Sequence, residues 1–248
     1  MQFTLNEIQK EIKENSTKLL KENIDLLETI QKVDDNCRLD EDIWKLVIEQ
    51  GWLALDVPES DGGLGFSNTD TATLSEFLGY YMPIIPLFSS GVVFKNLLLL
   101  SNENIKNTIL PEIISGEKIG TYCVYENDKY LTSNDEVSTT LTKDKSGYIL
   151  NGQKKYVIFG DVSDYFAILA NTEEGLMFVL VNKDSEGLEI KQTSSLDQTR
   201  PMCEINMKDI LISDDEIMIG SDSCINTWEK VKNISLGYLA MELSLIHI

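Results

Sequence analysis

The feature that most constrains the fold is a change of hydrophobic period near residue 118. Before it, apolar residues recur at three and four, the spacing that gathers them on one face of a helix. Leu5, Ile8 and Ile12, followed by Leu20, Ile24 and Leu27, make such a stripe, with Lys and Glu opposite. Thr4-Leu5-Asn6-Glu7 reads as a capping box that opens the helix. Asp40 leads a second stripe of Ile43, Trp44, Val47 and Ile48. That stripe stops at Gly51, the residue suited to a left-handed helix end. Pro58 and the glycines of Gly62-Gly63-Leu64-Gly65 then break regular structure. They read as a structural turn rather than a phosphate loop, which needs a preceding strand and a longer glycine spacing. Helical patterns resume over 69–81, stop before Pro83 and Pro86, and return over 88–100 and 104–114, closing at Gly116. Residues 1–117 are thus expected to form an N-terminal all-α helical domain.

From 119 to 212 the chain becomes β-branched and aromatic in short runs, at 120–125, 137–142, 148–150, 154–159, 165–170, 176–181, 188–192 and 202–207. Breakers lie between them, at 144–147, Asn151-Gly152, 173–175 and 184–187. Eight short strands at this spacing predict a middle antiparallel β-barrel or sandwich domain over 118–220. Asn151-Gly152, with apolar runs on both sides, predicts a type I′ hairpin. Tyr156 on its second strand reads, by itself, as a half-buried strand aromatic. From Ser221 a helical stripe returns through Ile225, Trp228, Val231, Ile234 and Leu239. Residues 221–248 are expected to begin a C-terminal α-helical domain. The fold class is therefore α+β and multi-domain.

The 248 residues carry 41 acidic and 21 basic side chains, a net charge of -20. That field repels phosphate backbones and anionic membrane surfaces and argues against nucleic acid as a partner. Cys37, Cys123, Cys203 and Cys224 are widely spaced and the single His247 completes no zinc set, so reduced thiols and a cytoplasmic location are expected. The first ten residues do not resemble a secretory signal, and no apolar run approaches the roughly 20 residues of a bilayer span.

Five segments, in order, resemble motifs of the acyl-CoA dehydrogenase family. Residues 51–65 look like its Gly-Trp … Pro-Glu-x-x-Gly-Gly-x-Gly segment. Tyr122-Cys123-Val124-Tyr125-Glu126 resembles the first β-strand, which usually ends in Thr-Glu-Pro. Residues 150–158, Leu-Asn-Gly-Gln-Lys-Lys-Tyr-Val-Ile, are similar to Leu-Asn-Gly-x-Lys-x-Trp-Ile-Thr, and Ser163-Asp164-Tyr165 to the Ala-Asp that follows. Leu196-Asp197-Gln198-Thr199-Arg200 resembles a variant found in divergent members, some built from two different subunits. Each motif alone is weak, whereas five in register are specific.

The resemblance implies FAD as cofactor and α,β-oxidation of a CoA thioester to the 2,3-enoyl-CoA. A carboxylate removes the α-proton while the β-hydrogen passes to flavin N5. It implies an acyl-CoA substrate, an electron-transfer flavoprotein or similar acceptor, a place in fatty acid metabolism, and a homo- or hetero-oligomer. By resemblance, Tyr122, Val124 and Tyr125 line the isoalloxazine, Tyr156 takes the place of the stacking Trp, and Ile158 stands where a Thr hydroxyl bonds the flavin. Departures accompany these matches: Tyr125 for Thr, Asn127 for Pro, no recoverable Gly-Ser-Asp over 128–135, and Ile158 for Thr. The family's catalytic Glu and its FAD-holding arginines are expected beyond residue 248, so no catalytic residue is assigned here and Glu242 reads as a solvated helix residue. Residues 243–248 look like non-native read-through, which makes a truncated, inactive chain the expectation. Two other outcomes stay open: a non-catalytic partner subunit that has lost flavin binding, and a flavin monooxygenase or oxidase on the same two domains.

Overall fold

A computed structural model describes residues 4–126, 137–145 and 147–246, with side chains up to residue 244. The first part is helical: α1 Glu7–Asn23, α2 Leu26–Asp34, α3 Glu41–Glu49, α4 Asn68–Thr71, α5 Thr73–Tyr81, a π-helical turn Ser89–Phe94 running into α6 Lys95–Leu99, and α7 Glu103–Ile114. The capping box that opens α1 lies two residues later than the sequence suggests. Asn6 Oδ1 accepts from Gln9 N at 2.8 Å and Gln9 Oε1 accepts from Asn6 N at 3.0 Å. The expected continuous stripe is cut at Ile24, whose extended backbone ends α1, and Asp25 caps α2 by accepting from Leu27 N. Leu20 is buried, while Leu5, Ile8 and Leu27 face outward. Asp40 caps α3 and Gly51 follows it at φ 67°, as the stripe implied. The 62–65 glycines serve the turn itself: Gly65 N donates to Val57 O at 2.9 Å, and a Cβ on Gly63 would lie 2.2 Å from that oxygen.

The second part is one sheet of β1 Gly120–Cys123, β2 Thr140–Asp144, β3 Gly147–Ile158, β4 Tyr165–Thr172, β5 Gly175–Asn182, β6 Leu188–Thr193, β7 Met202–Ile212 and β8 Ile217–Ile219. The strand order is β6-β7-β3-β2-β4-β5-β8, with β1 on β4. Most pairings are antiparallel, but β1 and β2 both run parallel to β4, so the sheet is mixed. Inward residues of β3 and β7 join those of β4 and β5 in one core, including Leu150, Val157, Phe166, Ile168, Val179 and Ile205, so the sheet curls around it. The other faces of β4 and β5, with Ala167, Leu169, Phe178 and Leu180, pack against α6, α7 and α8 Ser221–Ile246. Burial on both faces explains why these two strands read as unbroken apolar runs rather than alternating ones.

Asn151-Gly152 is not a turn. It lies inside the twelve-residue β3, with Asn151 opposite Thr140. Asn151 Oδ1 accepts from Asp209 N at 2.9 Å and stabilises a bulge in β7, where Asp209 has φ 53°. Gly152, at φ 149°, is required by proximity as well, since a Cβ there would lie 2.6 Å from Thr139 Oγ1. The reversal into β3 falls instead between Asp144 and its partner Gly147. Among the described residues, no helix is long and apolar enough to cross a membrane. All four cysteines are free.

Candidate functional site

The predicted site residues lie where two segments run side by side. Thr121 Oγ1 donates to Ile158 O at 2.8 Å, and Lys155 N donates to Tyr125 O at 2.8 Å. Tyr122, Tyr125, Tyr156 and Ile158 are thereby placed on neighbouring backbone. Tyr156 owes its direction to a bulge. Lys154 pairs with Ile205 and Val157 with Cys203, so Lys155 and Tyr156 oppose the single residue Glu204. In an unbroken strand Tyr156 would share the inward face with Lys154. The extra residue reverses the parity, turns the ring out and leaves Tyr156 46% exposed at φ 57°. Left-handed backbone is uncommon for a bulky residue and costs on the order of 1–3 kcal/mol, a strain typical of functional positions.

Ile158 is half-buried and borders a cleft. Tyr122 is half-buried on β1 with its ring centroid 6.2 Å from that of Trp228 on α8, and burial pushes its phenol well above the usual range. Tyr125 is half-buried against the same core. Val124 is different: its side chain is fully within the core, so only its backbone is available to a ligand. Asn127 and residues 128–135 lie outside the described residues, as does His247.

Sequence reasoning missed the ion pair beneath this surface. Lys154 is 0% exposed, and its Nζ lies 2.6 Å from Glu126 Oε1 and 3.4 Å from Val124 O. Glu126 also accepts from Ser138 N at 2.6 Å, from Ser138 Oγ and from Thr139 N at 3.0 Å. Burial works to raise the Glu126 carboxyl, but Lys154 and these donors outweigh it and hold the group at about 2. The available signal was a lysine at a position where strand alternation calls for an inward apolar residue.

A second departure concerns Glu242. It is buried rather than solvated, and its Oε1 accepts from Arg200 Nη2. The Arg200 guanidinium also lies 5.5 Å from the centroid of Phe88. These groups line a cleft of about 190 Å³ between α5, the end of β3, the 194–201 loop and α8, with Leu78, Met82, Pro83 and Ile158 among its walls. Deeper, Lys95 and Asp56 form a buried pair. Asp56 Oδ2 accepts from the Tyr238 hydroxyl at 3.1 Å, and Tyr238 also meets Thr71 Oγ1, which ties α8 to the first helices. Among the described residues, no group of three or more His, Cys, Asp or Glu could hold a metal ion.

The model for the acyl-CoA dehydrogenase N-terminal domain matches residues 6–117, and that for the middle domain matches residues 124–210. The chain belongs to the acyl-CoA dehydrogenase family. Benzylmalonyl-CoA dehydrogenase of Aromatoleum aromaticum is 28% identical over 153 residues, which cover 60% of this chain and 40% of the relative. The human mitochondrial very long-chain specific acyl-CoA dehydrogenase is 29% identical over 175 residues, covering 65% and 26%. Butyryl-CoA dehydrogenase from Megasphaera elsdenii superposes with a TM-score of 0.87 at 17% identity, over 98% of this chain and 66% of that one. PigA with FAD and proline superposes with a TM-score of 0.87 at 22% identity, over 99% and 67%. Against these two curated relatives, the matched region spans less than half of their length.

Proposed function

We propose that the protein acts as an FAD-dependent acyl-CoA dehydrogenase, oxidising a CoA thioester at its α and β carbons to the 2,3-enoyl-CoA. The observation that carries this is the bulge that strains Tyr156 into the left-handed region and turns it outward on backbone that runs beside the Tyr122–Tyr125 segment. Aromatic and aliphatic walls of this kind suit a flat, largely apolar ring system, which supports the fit of a flavin. Tyr156 would stack on it, Tyr122 and Tyr125 would line it with the Val124 backbone, and Ile158 would pack against it. Bound there, FAD would supply the acceptor for the β-hydrogen, with flavin N5 as the receiving atom. The residues of this chain orient the ring and exclude water from one face. Ile158 brings no hydroxyl, and the missing neutral hydrogen bond costs about 0.5–1.5 kcal/mol.

An electron-transfer flavoprotein or similar acceptor, a homo- or hetero-oligomeric assembly and a cytoplasmic role in fatty acid metabolism complete this proposal. Solved structures sharing the fold include an electron transferring flavoprotein of Acidaminococcus fermentans and the ChsE4-ChsE5 complex of Mycobacterium tuberculosis. The apolar Ile158 also favours a second reading, a partner subunit that has lost flavin binding. Titration of FAD, followed by quenching of its fluorescence, separates the two. Tyr156→Ala is expected to weaken binding about 2- to 10-fold, the range of one aromatic contact worth about 0.5–1.5 kcal/mol. Tyr148→Ala, which removes a ring packed on the sheet core, should lower stability and spare the affinity of the folded protein. Equal affinities in the two variants would defeat the flavin assignment.

A further inference from the structure

We infer that the 190 Å³ cleft beside Ile158 receives a short acyl group bearing an ammonium, with Glu242 as its receptor. Calling the ligand the acyl part of a thioester rests on the flavin proposal above; the selectivity for an ammonium does not.

The cleft is smaller than the roughly 300 Å³ at which sites for drug-sized molecules begin, so it takes a short segment. Its lining carries three charged groups, Arg200, Glu242 and Asp197. The one cation is already engaged: Arg200 Nη2 donates to Glu242, its Nε lies 3.8 Å from Asp197 Oδ2, and its guanidinium faces Phe88. Glu242 is less committed. Arg200 is its only hydrogen-bond donor among the described residues, on Oε1, while Oε2 has none, and the side chain is 11% exposed. An ionised carboxylate can accept about four hydrogen bonds, so acceptor capacity remains on a side chain that lines the cleft. Its position is fixed by backbone packing, since Gly79 on α5 approaches so closely that a Cβ there would lie 2.0 Å from Glu242 O.

The sign of the ligand follows. One positive and two negative groups leave the cleft negative, and the chain's net charge of -20 adds to the same field. A carboxylate-tipped acyl group would be repelled. A long alkyl chain would exceed the volume and desolvate Glu242 without replacing its lost water. An ammonium would satisfy Oε2, within a lining that includes the apolar Leu78, Met82 and Phe88.

Calorimetric titration of the 248-residue chain with 3-amino-N-propylpropanamide and its neutral isostere N-propylbutanamide tests this, the amide standing in for the thioester. The ammonium amide should bind at least about tenfold tighter, equivalent to about 1.4 kcal/mol. Glu242→Gln should erase the preference, and Asp197→Asn, on an exposed side chain, should reduce it about two- to threefold. Equal or tighter binding of the neutral amide overturns the inference, as does a preference that survives in Glu242→Gln. FAD titrated into the same samples separates the two proposals: FAD bound with no ammonium preference sinks this one alone, whereas an ammonium preference together with equal FAD affinity in Tyr156→Ala and Tyr148→Ala upholds the cleft and sinks the flavin assignment.

Discussion

Breaking the Glu126–Lys154 pair should be among the most damaging single changes in the β region. Both partners lie beneath the Tyr156 surface, 2.6 Å apart, and neither can turn to water. The Glu126 carboxyl is held at about 2, below its ordinary 4.5, because Lys154 and the Ser138 and Thr139 donors outweigh the burial that would raise it. Burial pulls the Lys154 ammonium below its usual range, so the pair is held by the close contact and by the Ser138 and Thr139 donors against a desolvation cost on both partners. A group depressed in the folded state contributes fully above its unfolded value. Its contribution is therefore intact above about pH 4.5 and is lost as pH falls toward 2. Lys154→Met leaves a buried carboxylate whose charge nothing offsets and should cost about 3–5 kcal/mol at pH 7. Glu126→Gln strands a buried ammonium and should cost a similar amount. The double variant removes both charges, keeps an acceptor for Ser138 and Thr139, and should lie closer to the parent than either single change. Urea unfolding followed by tryptophan fluorescence reads all four proteins. Loss of less than about 1 kcal/mol in Lys154→Met, or a double variant equal to the sum of the singles, would refute the account of a coupled, desolvated pair.

Gly152→Ala should destabilise by about 1–3 kcal/mol, because it combines φ 149° with a Cβ 2.6 Å from Thr139 Oγ1; an unchanged thermal midpoint would show that β3 can shift there. Tyr238→Phe removes the hydroxyl shared by Asp56 and Thr71 and should cost about 1–3 kcal/mol, read in the same urea assay, with Tyr80→Phe on an exposed ring as the neutral comparison. The proposed domain limits at 117 and 220 predict preferred proteolysis within 115–118 and 213–216, where the chain is mostly exposed, and mass spectrometry of the first fragments would contradict them by finding cuts inside β4 or β5.

The helical part was legible because α3 carries its own punctuation, Asp40 before the stripe and Gly51 after it. β4 and β5 were legible for a different reason: two covered faces make a strand apolar through its middle, and six such residues in a row between turn signals fit little else. What the sequence hid was tertiary in origin. Asn-Gly is the strongest short hairpin signal, yet here Asn151 spends its side chain on the β7 bulge and Gly152 spends its missing Cβ on Thr139. The same two residues serve both uses, and only the partner strand decides between them. The parallel placement of β1 and β2 on β4 was equally invisible, since register across the sheet leaves no local mark.

The site follows the same logic. Motif resemblance put Tyr122, Tyr125, Tyr156 and Ile158 on one list, but only the bulge explains how Tyr156 can face outward two residues after a lysine that faces inward. Strand parity requires residues 154 and 156 to share a face. Lys154 and Val157 are both fully buried, so the parity must break between them, and the left-handed Tyr156 is where it does. The inward lysine and the outward tyrosine are thus two ends of one device. Glu126 compensates the charge that the inward turn buries, and its backbone neighbour Tyr125 accepts the hydrogen bond of Lys155, the other residue of the bulge. Straightening the strand would put a second large side chain into a filled core or expel Lys154 from Glu126. The strain at Tyr156 therefore persists because relaxing it would cost about 3–5 kcal/mol at the ion pair, against about 1–3 kcal/mol for the left-handed backbone where it stands.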